Sequence, residues 1–569
     1  MNALDGHATL GVDPTCQLRP GHSLLIGLAV SPTDLEVAEE FFELFKTPWE
    51  RAVPARKYRI VLTTDGFIGN LDAELFLVYG SGEQAADREA GIAVEHVNGP
   101  VDVEWGDSTL PIYGQVALFE VDTRDCALKA RGKSLDHQHR IGARVVRRIG
   151  YDLFDEIRYL LTEGQPALQA LTPTLELHVA LLRHLLIESK VPFLEIPPRP
   201  DGHDFICCLT HDVDFFGIRR HKFDRTLAGF MLRASVGTLA DLARGRRSLA
   251  EATQNWLALC SLPLVFLGWM PDFWHPFQDY ARVEDGRRST FFLVPFKSRP
   301  GLAPDGTLNT WRAAPYEISE IQEEVKKAAD RGSELAVHGI DAWRDANAGR
   351  AEMRQLNSMT GEETAGVRMH WLYFAADSPR RLEVAGFHYD STWGYNEAVG
   401  YRAGTSQVFR PAGSETLMEL PLSIMDSALF FPGRMGLARE EALKLCRQIV
   451  ANARRFGGTV VVNWHERSLA PERLWGRFYG ELLEEIGKGD RAWFTTAGEA
   501  VEWFRWRRSI SFRQKASPEI ASVEVSAPCS GTPGAIIRIH RPGLLRAEVE
   551  DAVFDGGVPV KVDVLTRQV

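Results

Sequence analysis

Leu209-Thr210-His211-Asp212-Val213-Asp214-Phe215-Phe216-Gly217-Ile218 decides the reading of this chain, together with the apolar run Phe205-Ile206-Cys207-Cys208 that leads into it. Such a run, preceded by the turn Asp201-Gly202, reads as a buried strand of a parallel sheet. Side chains alternate along a strand, so Asp212 and Asp214 leave on one face, where the strand runs out. Two carboxylates so placed repel unless a cation or a shared proton holds them. The pattern suits a metal site with a base beside it; the plainer alternative is a solvated Asp-rich turn.

Recurrence favours the site. Downstream, Glu334-Leu335-Ala336-Val337 ends in His338, and Gly366-Val367 runs through Arg368 to His370. Phe387-His388-Tyr389 ends in Asp390, and Thr459-Val460-Val461-Val462 leads through Asn463-Trp464 to His465. Further strands are expected at 290–294, 417–420 and 492–495, with helical patterns at 318–329 and 439–454 between several of them. Polar groups gathered at the C-terminal ends of successive parallel strands mark an α/β barrel active site.

A chain of 569 residues exceeds one compact core, so more than one domain is expected. Residues 1–130 read as an N-terminal α/β domain with no assigned role, its strands expected at 24–30, 58–63 and 115–121 and a helix at 36–45. Residues 131–202 read as a helical connection, with helices at 152–161 and 175–188. It closes in a linker carrying Pro192, Pro197, Pro198 and Pro200, which can continue neither a helix nor a central strand. The barrel is expected over 203–507. Residues 515–569 read as a small β module packed on it, a stabilising appendage rather than a sugar-binding one.

Net charge is −11 with no Lys/Arg-rich block, which argues against nucleic acid as a partner. Seven scattered cysteines, two of them in the first barrel strand, read as small core hydrophobes and not as a disulfide framework. Residues 1–20 lack a basic stretch followed by an apolar one, so no secretory signal is read and a cytoplasmic protein is expected. The apolar stretch 256–270 contains Pro263 and falls short of the roughly 20 residues that span a bilayer, so no transmembrane segment is expected. A buried helix or lid is its default reading; contact with a membrane surface is the lesser alternative.

From Phe205 to about Phe504 the chain resembles the polysaccharide deacetylase superfamily, in a carbohydrate esterase family 4-like variant. Thr210-His211-Asp212-Val213-Asp214 is similar to the first family motif, and Ser289-Thr290-Phe291-Phe292 to the family's second strand. Glu334-Leu335-Ala336-Val337-His338-Gly339 resembles the histidine motif, Asp390-Ser391-Thr392-Trp393 the Asp-x-x-Trp motif, and Val462-Asn463-Trp464-His465 the hydrophobic-x-His motif. Phe494-Thr495-Thr496 resembles the end of such barrels.

The resemblance implies a distorted (β/α) barrel of about seven strands. It implies that Asp212 is the general base, that Asp214 and His338 bind a divalent metal, and that His465 protonates the leaving amine. It also implies that Asp390 and Trp393 orient and pack His465, and that Arg368 holds Asp212. The sequence departs from the family pattern at Ala342, where a second histidine of the motif is usual. Its replacement is His370 or Asp341, or else the site is degraded. An Asp-His-His set suits zinc, and also nickel or cobalt.

Trp371, Trp393, Tyr395 and Trp464 are candidates for stacking on a sugar, with barrel packing as the plainer alternative. His211, His275 and His388 read as structural. The expected activity is metal-dependent removal of acyl groups, N-acetyl first among them, from a carbohydrate in surface-polysaccharide biosynthesis. The alternative is a catalytically weakened glycan-binding or assembly factor on the same barrel. A glycosidase pairing Asp212 or Asp214 with Glu419 is a third reading.

Overall fold

Nine parallel strands form one curled sheet. They are β1 (Phe205–Val213), β2 (Thr290–Leu293), β3 (Glu334–Gly339), β4 (Gly366–Met369), β5 (Tyr389–Asp390), β6 (Met418–Glu419), β7 (Ile424–Met425), β8 (Thr459–Asn463) and β9 (Ala492–Thr495). The computed structural model describes residues 22–564 except 65–68, 85–86, 89–90, 123–125, 142–143, 246, 275, 362, 474, 516–521 and 542–547. The stretch 1–20 and His275 therefore lie outside the described residues.

The strand order is β6-β5-β4-β3-β2-β1-β8-β7, with β9 also paired to β1. β1 is the hub because its nine residues are all buried and long enough to serve several neighbours. Its first half lies between β8 and β9 (Cys207 opposite Val460 and Phe494), and its second half between β8 and β2 (Thr210 opposite Asn463 and Thr290). The handover from β9 to β2 along one edge distorts the barrel. β6 and β7 are two-residue pieces joined directly through Leu420–Ser423.

The covering helices follow apolar periodicity. Arg439–Phe456 buries Ala442, Cys446, Ile449, Val450 and Ala453, spaced as one helical face. It stops at Gly457, whose φ of 84° is a left-handed conformation and whose Cβ, were there one, would lie 2.7 Å from the Pro198 carbonyl.

Residues 22–149 build two six-stranded sheets, one mostly parallel and one antiparallel. The boundary expected at 130/131 is corrected. Asp136–Ile141 and Arg144–Ile149 are strands of the first sheet, with Arg144–Ile149 parallel to Asp72–Tyr79. Arg144, Arg147 and Arg148 make this stretch look unlike a strand, yet Arg147 and Arg148 are buried because Asp136 and Asp87 pair with them. Helices Leu153–Thr162 and Thr174–Glu188 follow.

The C-terminal strands begin at Ser511, four residues before the expected start at 515. Ser511–Lys515 opens one three-stranded sheet with Ser522–Ser526 and Val560–Asp563. Ala535–Arg541 and Glu548–Phe554 make another, completed by Phe193–Glu195 from the preceding linker. Val523, Val525, Ile537 and Phe554 share the barrel's own hydrophobic core.

The stretch 256–270 is not simply buried. Helix Leu249–Phe266 buries Ala252, Asn255, Leu262 and Val265, whereas Leu257, Leu264, Leu267 and Trp269 face out. No helix among the described residues is long and apolar enough to cross a membrane.

Candidate metal and catalytic site

The C-terminal ends of β1, β3, β4, β7 and β8 converge on one cavity of about 300 Å³. Alternation along β1 sends Thr210 and Asp212 inward and His211 outward. Outside, His211 bonds Glu284 at 2.8 Å and the Trp464 carbonyl at 2.9 Å and stacks on Tyr280, a structural role.

Asp214, one residue past β1, meets His338 of β3 and His370 just beyond β4. Its Oδ1 lies 3.2 Å from His338 Nε2 and 3.3 Å from His370 Nε2. One ligand atom from each of the three falls within 4.8 Å of the others. The Nδ1 of His338 sits 3.0 Å from the Arg368 carbonyl, an acceptor only, so Nδ1 carries the proton and Nε2 can offer its lone pair inward. Asp214 Oδ1 is buried with no hydrogen-bond donor on it. The His338 lone pair aimed at an orphaned carboxylate oxygen is repelled unless a cation joins them, and His370 can present its Nε2 lone pair to the same point, so the residues fit one divalent ion.

Burial holds His370 down to about 3, keeping it neutral and ligand-competent, while Ala342 lies in the core. Asp341 is committed elsewhere: its Oδ1 accepts from the Leu302 amide at 3.0 Å.

Asp212 sits beside this triad. Arg368 Nη1 donates to its Oδ1 at 3.0 Å, and Asn463 Nδ2 to its Oδ2 at 2.7 Å. Burial alone would raise the Asp212 carboxyl, but the Arg368 guanidinium together with the His338 and His465 rings outweighs it and holds it below the usual carboxylate range. Arg368, itself fully buried, is fixed by Thr210 Oγ1, Ser391 Oγ and the Ser391 carbonyl, and lies over the Phe292 ring at 4.3 Å.

His465, two residues past β8, places Nε2 4.0 Å from Asp212 Oδ2 across the cavity. Its orienting carboxylate is Asp426 and not the expected Asp390. Asp426 Oδ1 accepts from His465 Nδ1 at 2.6 Å, and its Oδ2 from the His465 amide at 2.7 Å and from Ser468 Oγ. The reason is topological. β7 pairs directly with β8, Met425 opposite Asn463, so the residue after β7 falls beside His465. β5, which carries Asp390, is separated from β8 by β4, β3, β2 and β1. Burial works to lower the His465 pKa, but Asp426, with Asp214 and Asp212 adding to it, raises it to about 10, which favours the protonated ring with its Nε2 proton facing the cavity.

Asp390 accepts instead from Thr392 Oγ1 in the barrel interior, and burial pushes it up to about 7. Glu419 beside it is raised by burial and by Asp390, accepts from the Trp393 amide, and does not line the cavity, which removes the glycosidase pairing.

The four aromatic candidates separate. Only Trp371 lines the cavity, half-exposed, in a left-handed conformation of φ 67°. Trp464 points outward from the barrel and stacks with Phe478 and Tyr479. Trp393 packs against Phe374 and under Arg402, and the Tyr395 hydroxyl donates to the Gln165 carbonyl. His388 is exposed and does not line the cavity. Trp311, Trp475, Phe215 and Phe431 do line it, with Arg434, Arg467 and Arg473. Asp426 carried a readable signal: Leu422-Ser423-Ile424-Met425 is another short apolar run ending in a carboxylate.

Fold and site define an α/β protein whose curled parallel sheet gathers an Asp-His-His cluster, a buried carboxylate and a carboxylate-held histidine at its strand ends. No protein-family model and no curated protein matches the chain. Among solved structures it is similar to a Mycobacterium smegmatis protein assigned as a polysaccharide deacetylase, at 20% identity over 55% of this chain and 95% of that one, with a TM-score of 0.34. It is also similar to the PuuE allantoinase, at 14% identity over 55% and 93% with a TM-score of 0.33. A Pseudomonas aeruginosa PAO1 protein assigned as a polysaccharide deacetylase matches at 13% identity over 56% and 97%, with a TM-score of 0.34. Likenesses of this size carry nothing about the reaction.

Proposed function

We propose that this protein is a metal-dependent hydrolase that removes acyl groups, N-acetyl first among them, from a carbohydrate. The observation that carries the reading is the juxtaposition of three functions in one cavity: the Asp214–His338–His370 cluster, an ionised Asp212, and a protonated His465 whose Nε2 is 4.0 Å from Asp212.

A divalent ion on Asp214, His338 and His370 supplies a lowered water pKa and a polarised carbonyl when bound. Asp212, kept anionic by Arg368, takes a proton from the attacking water as its oxygen bonds to the amide carbon. His465 then gives its Nε2 proton to the amide nitrogen as the carbon–nitrogen bond breaks, leaving a carboxylic acid and a free amine. Asp426 stabilises the imidazolium beforehand and fixes the ring so that only Nε2 faces the substrate. Trp371 and Trp311, exposed on the cavity wall, offer faces for a sugar ring. Zinc is the ion favoured by the ligand set, and a sugar of surface-polysaccharide assembly is the favoured substrate.

The test joins metal analysis to acetate release from N-acetylated oligosaccharides. Wild type is expected to hold one divalent ion per chain, and Asp214→Ala, His338→Ala and His370→Ala to lose it. Asp212→Asn and His465→Ala are expected to keep the ion and lose about 100-fold or more in acetate release. Wild-type protein that binds no ion after reconstitution would overturn the proposal in favour of a glycan-binding barrel.

A further inference from the structure

The connection between β1 and β2 carries a helical hairpin that the reaction does not use. One arm runs through Arg225–Leu232, a π-helical turn at Arg233–Gly237, and Thr238–Ala243; the other is Leu249–Phe266. Their inner faces make a small core of Phe230, Ala234, Leu262 and Val265, closed against Trp274 and Ala470 of the barrel connections. Their outer faces are apolar as well. Leu232, Val236 and Leu239 stand exposed on the first arm, and Leu249, Leu257 and Leu264 on the second, at spacings that put each set on one helical stripe. A helix apolar on both sides, with one side bare, is out of place on a surface that meets only water.

What surrounds this face says what covers it. Phe223 is fully exposed and Trp269, just past the second arm, is 75% exposed, both large aromatics of the kind that settle at a lipid–water boundary. Between Ile218 and Met270 there are eight Lys/Arg against three Asp/Glu, in a chain whose net charge is −11. Arg220, Lys222, Arg225 and Arg244 are exposed among them. A second copy of the hairpin would set basic residues against basic residues, whereas anionic headgroups complement them.

We infer that this hairpin is a membrane-surface docking element, inserting its leucine stripes and Trp269 into the interface of an anionic bilayer without spanning it. The cavity mouth lies next to the docked face: Arg225 stacks on Trp311 at 5.2 Å, and Trp311 lines the cavity. The docking itself holds irrespective of which reaction the cavity performs.

Flotation of the full chain with vesicles tests it, using phosphatidylcholine alone and phosphatidylcholine mixed with phosphatidylglycerol. Wild type is expected to float with the mixed vesicles, and less with phosphatidylcholine alone or at high salt. Leu257→Asp with Leu264→Asp is expected to weaken partitioning about 100-fold or more while its thermal unfolding matches wild type. Lys222→Glu with Arg244→Glu is expected to abolish the preference for phosphatidylglycerol. Wild-type protein that stays at the bottom with both vesicles overturns the inference, as does a leucine variant that floats equally well. A wild-type mass of two chains that falls to one in the leucine variant makes the face a subunit contact, and also overturns it.

Discussion

At the residue scale the site turns on one pair, His465 and Asp426. Two of the four hydrogen bonds on the Asp426 carboxylate come from His465 itself, from Nδ1 and from its amide, the others from Ser468 Oγ and the Ser427 amide, so the carboxylate sets both the charge and the angle of the ring. Asp426→Asn keeps the shape and removes the charge. The His465 pKa, held at about 10 chiefly against burial, is then expected to fall. A group raised in this way is protonated below its folded pKa, so lowering that pKa moves the alkaline limb of the pH–rate profile to lower pH. Turnover is expected to drop about 100-fold or more, while metal content stays that of wild type. A profile measured beside wild type checks this; an unmoved alkaline limb removes His465 as the acid. The same pair shows where sequence reading ends. His465 was legible because an apolar run points at it. Which carboxylate reaches it depends on β7 lying beside β8, a pairing across the fold that no local spacing encodes.

At the scale of elements, strands were legible where they are buried on both faces, as β1, β3 and β8 are, because the run is then uniformly apolar. The strands Asp136–Ile141 and Arg144–Ile149 were not, since Arg147 is neutralised by Asp136 across the strand pair and Arg148 by Asp87 elsewhere in the fold. Nor did spacing alone show that Trp464 faces out while Asn463 and His465 face in, although strand alternation contains that answer. The close crossing of β4 and β5 gives a prediction at this scale. A Cβ on Gly366 would lie 2.0 Å from the Tyr389 ring, and the Tyr389 hydroxyl donates to Glu334 Oε1 at 2.8 Å. Glu334 in turn accepts from Thr290 Oγ1 and from the Gly498 amide, binding β2, β3 and the helix after β9 at the N-terminal ends of the strands. Gly366→Ala must push the ring away and strain that network. A loss of about 1–3 kcal/mol in denaturant unfolding is expected, with metal stoichiometry unchanged, because the ligands sit at the other end of the strands.

Across the whole molecule the linker before the barrel and the C-terminal strands behave as one piece. Phe193–Glu195 completes the sheet of Ala535–Arg541, and the fully buried Glu195 fastens it, accepting from Arg183 and facing His540 Nε2 at 2.9 Å. Burial disfavours its charge, but Arg183 and His540 outweigh burial and lower its pKa from 4.5 to about 2. A carboxyl depressed in the fold stabilises it fully above the unfolded pKa and loses that contribution as pH falls through the folded one. The stabilisation is therefore expected to stand above pH 4.5 and to decline towards about pH 2, by about 3 kcal/mol in all. Glu195→Gln removes the titration, so unfolding free energies of wild type and variant should differ most at neutral pH and converge as the solution is acidified. A gap that stays constant with pH would show that packing, and not the charge of Glu195, holds the C-terminal strands to the linker. Convergence would tie the attachment of these strands to the same carboxylate that anchors the approach to β1.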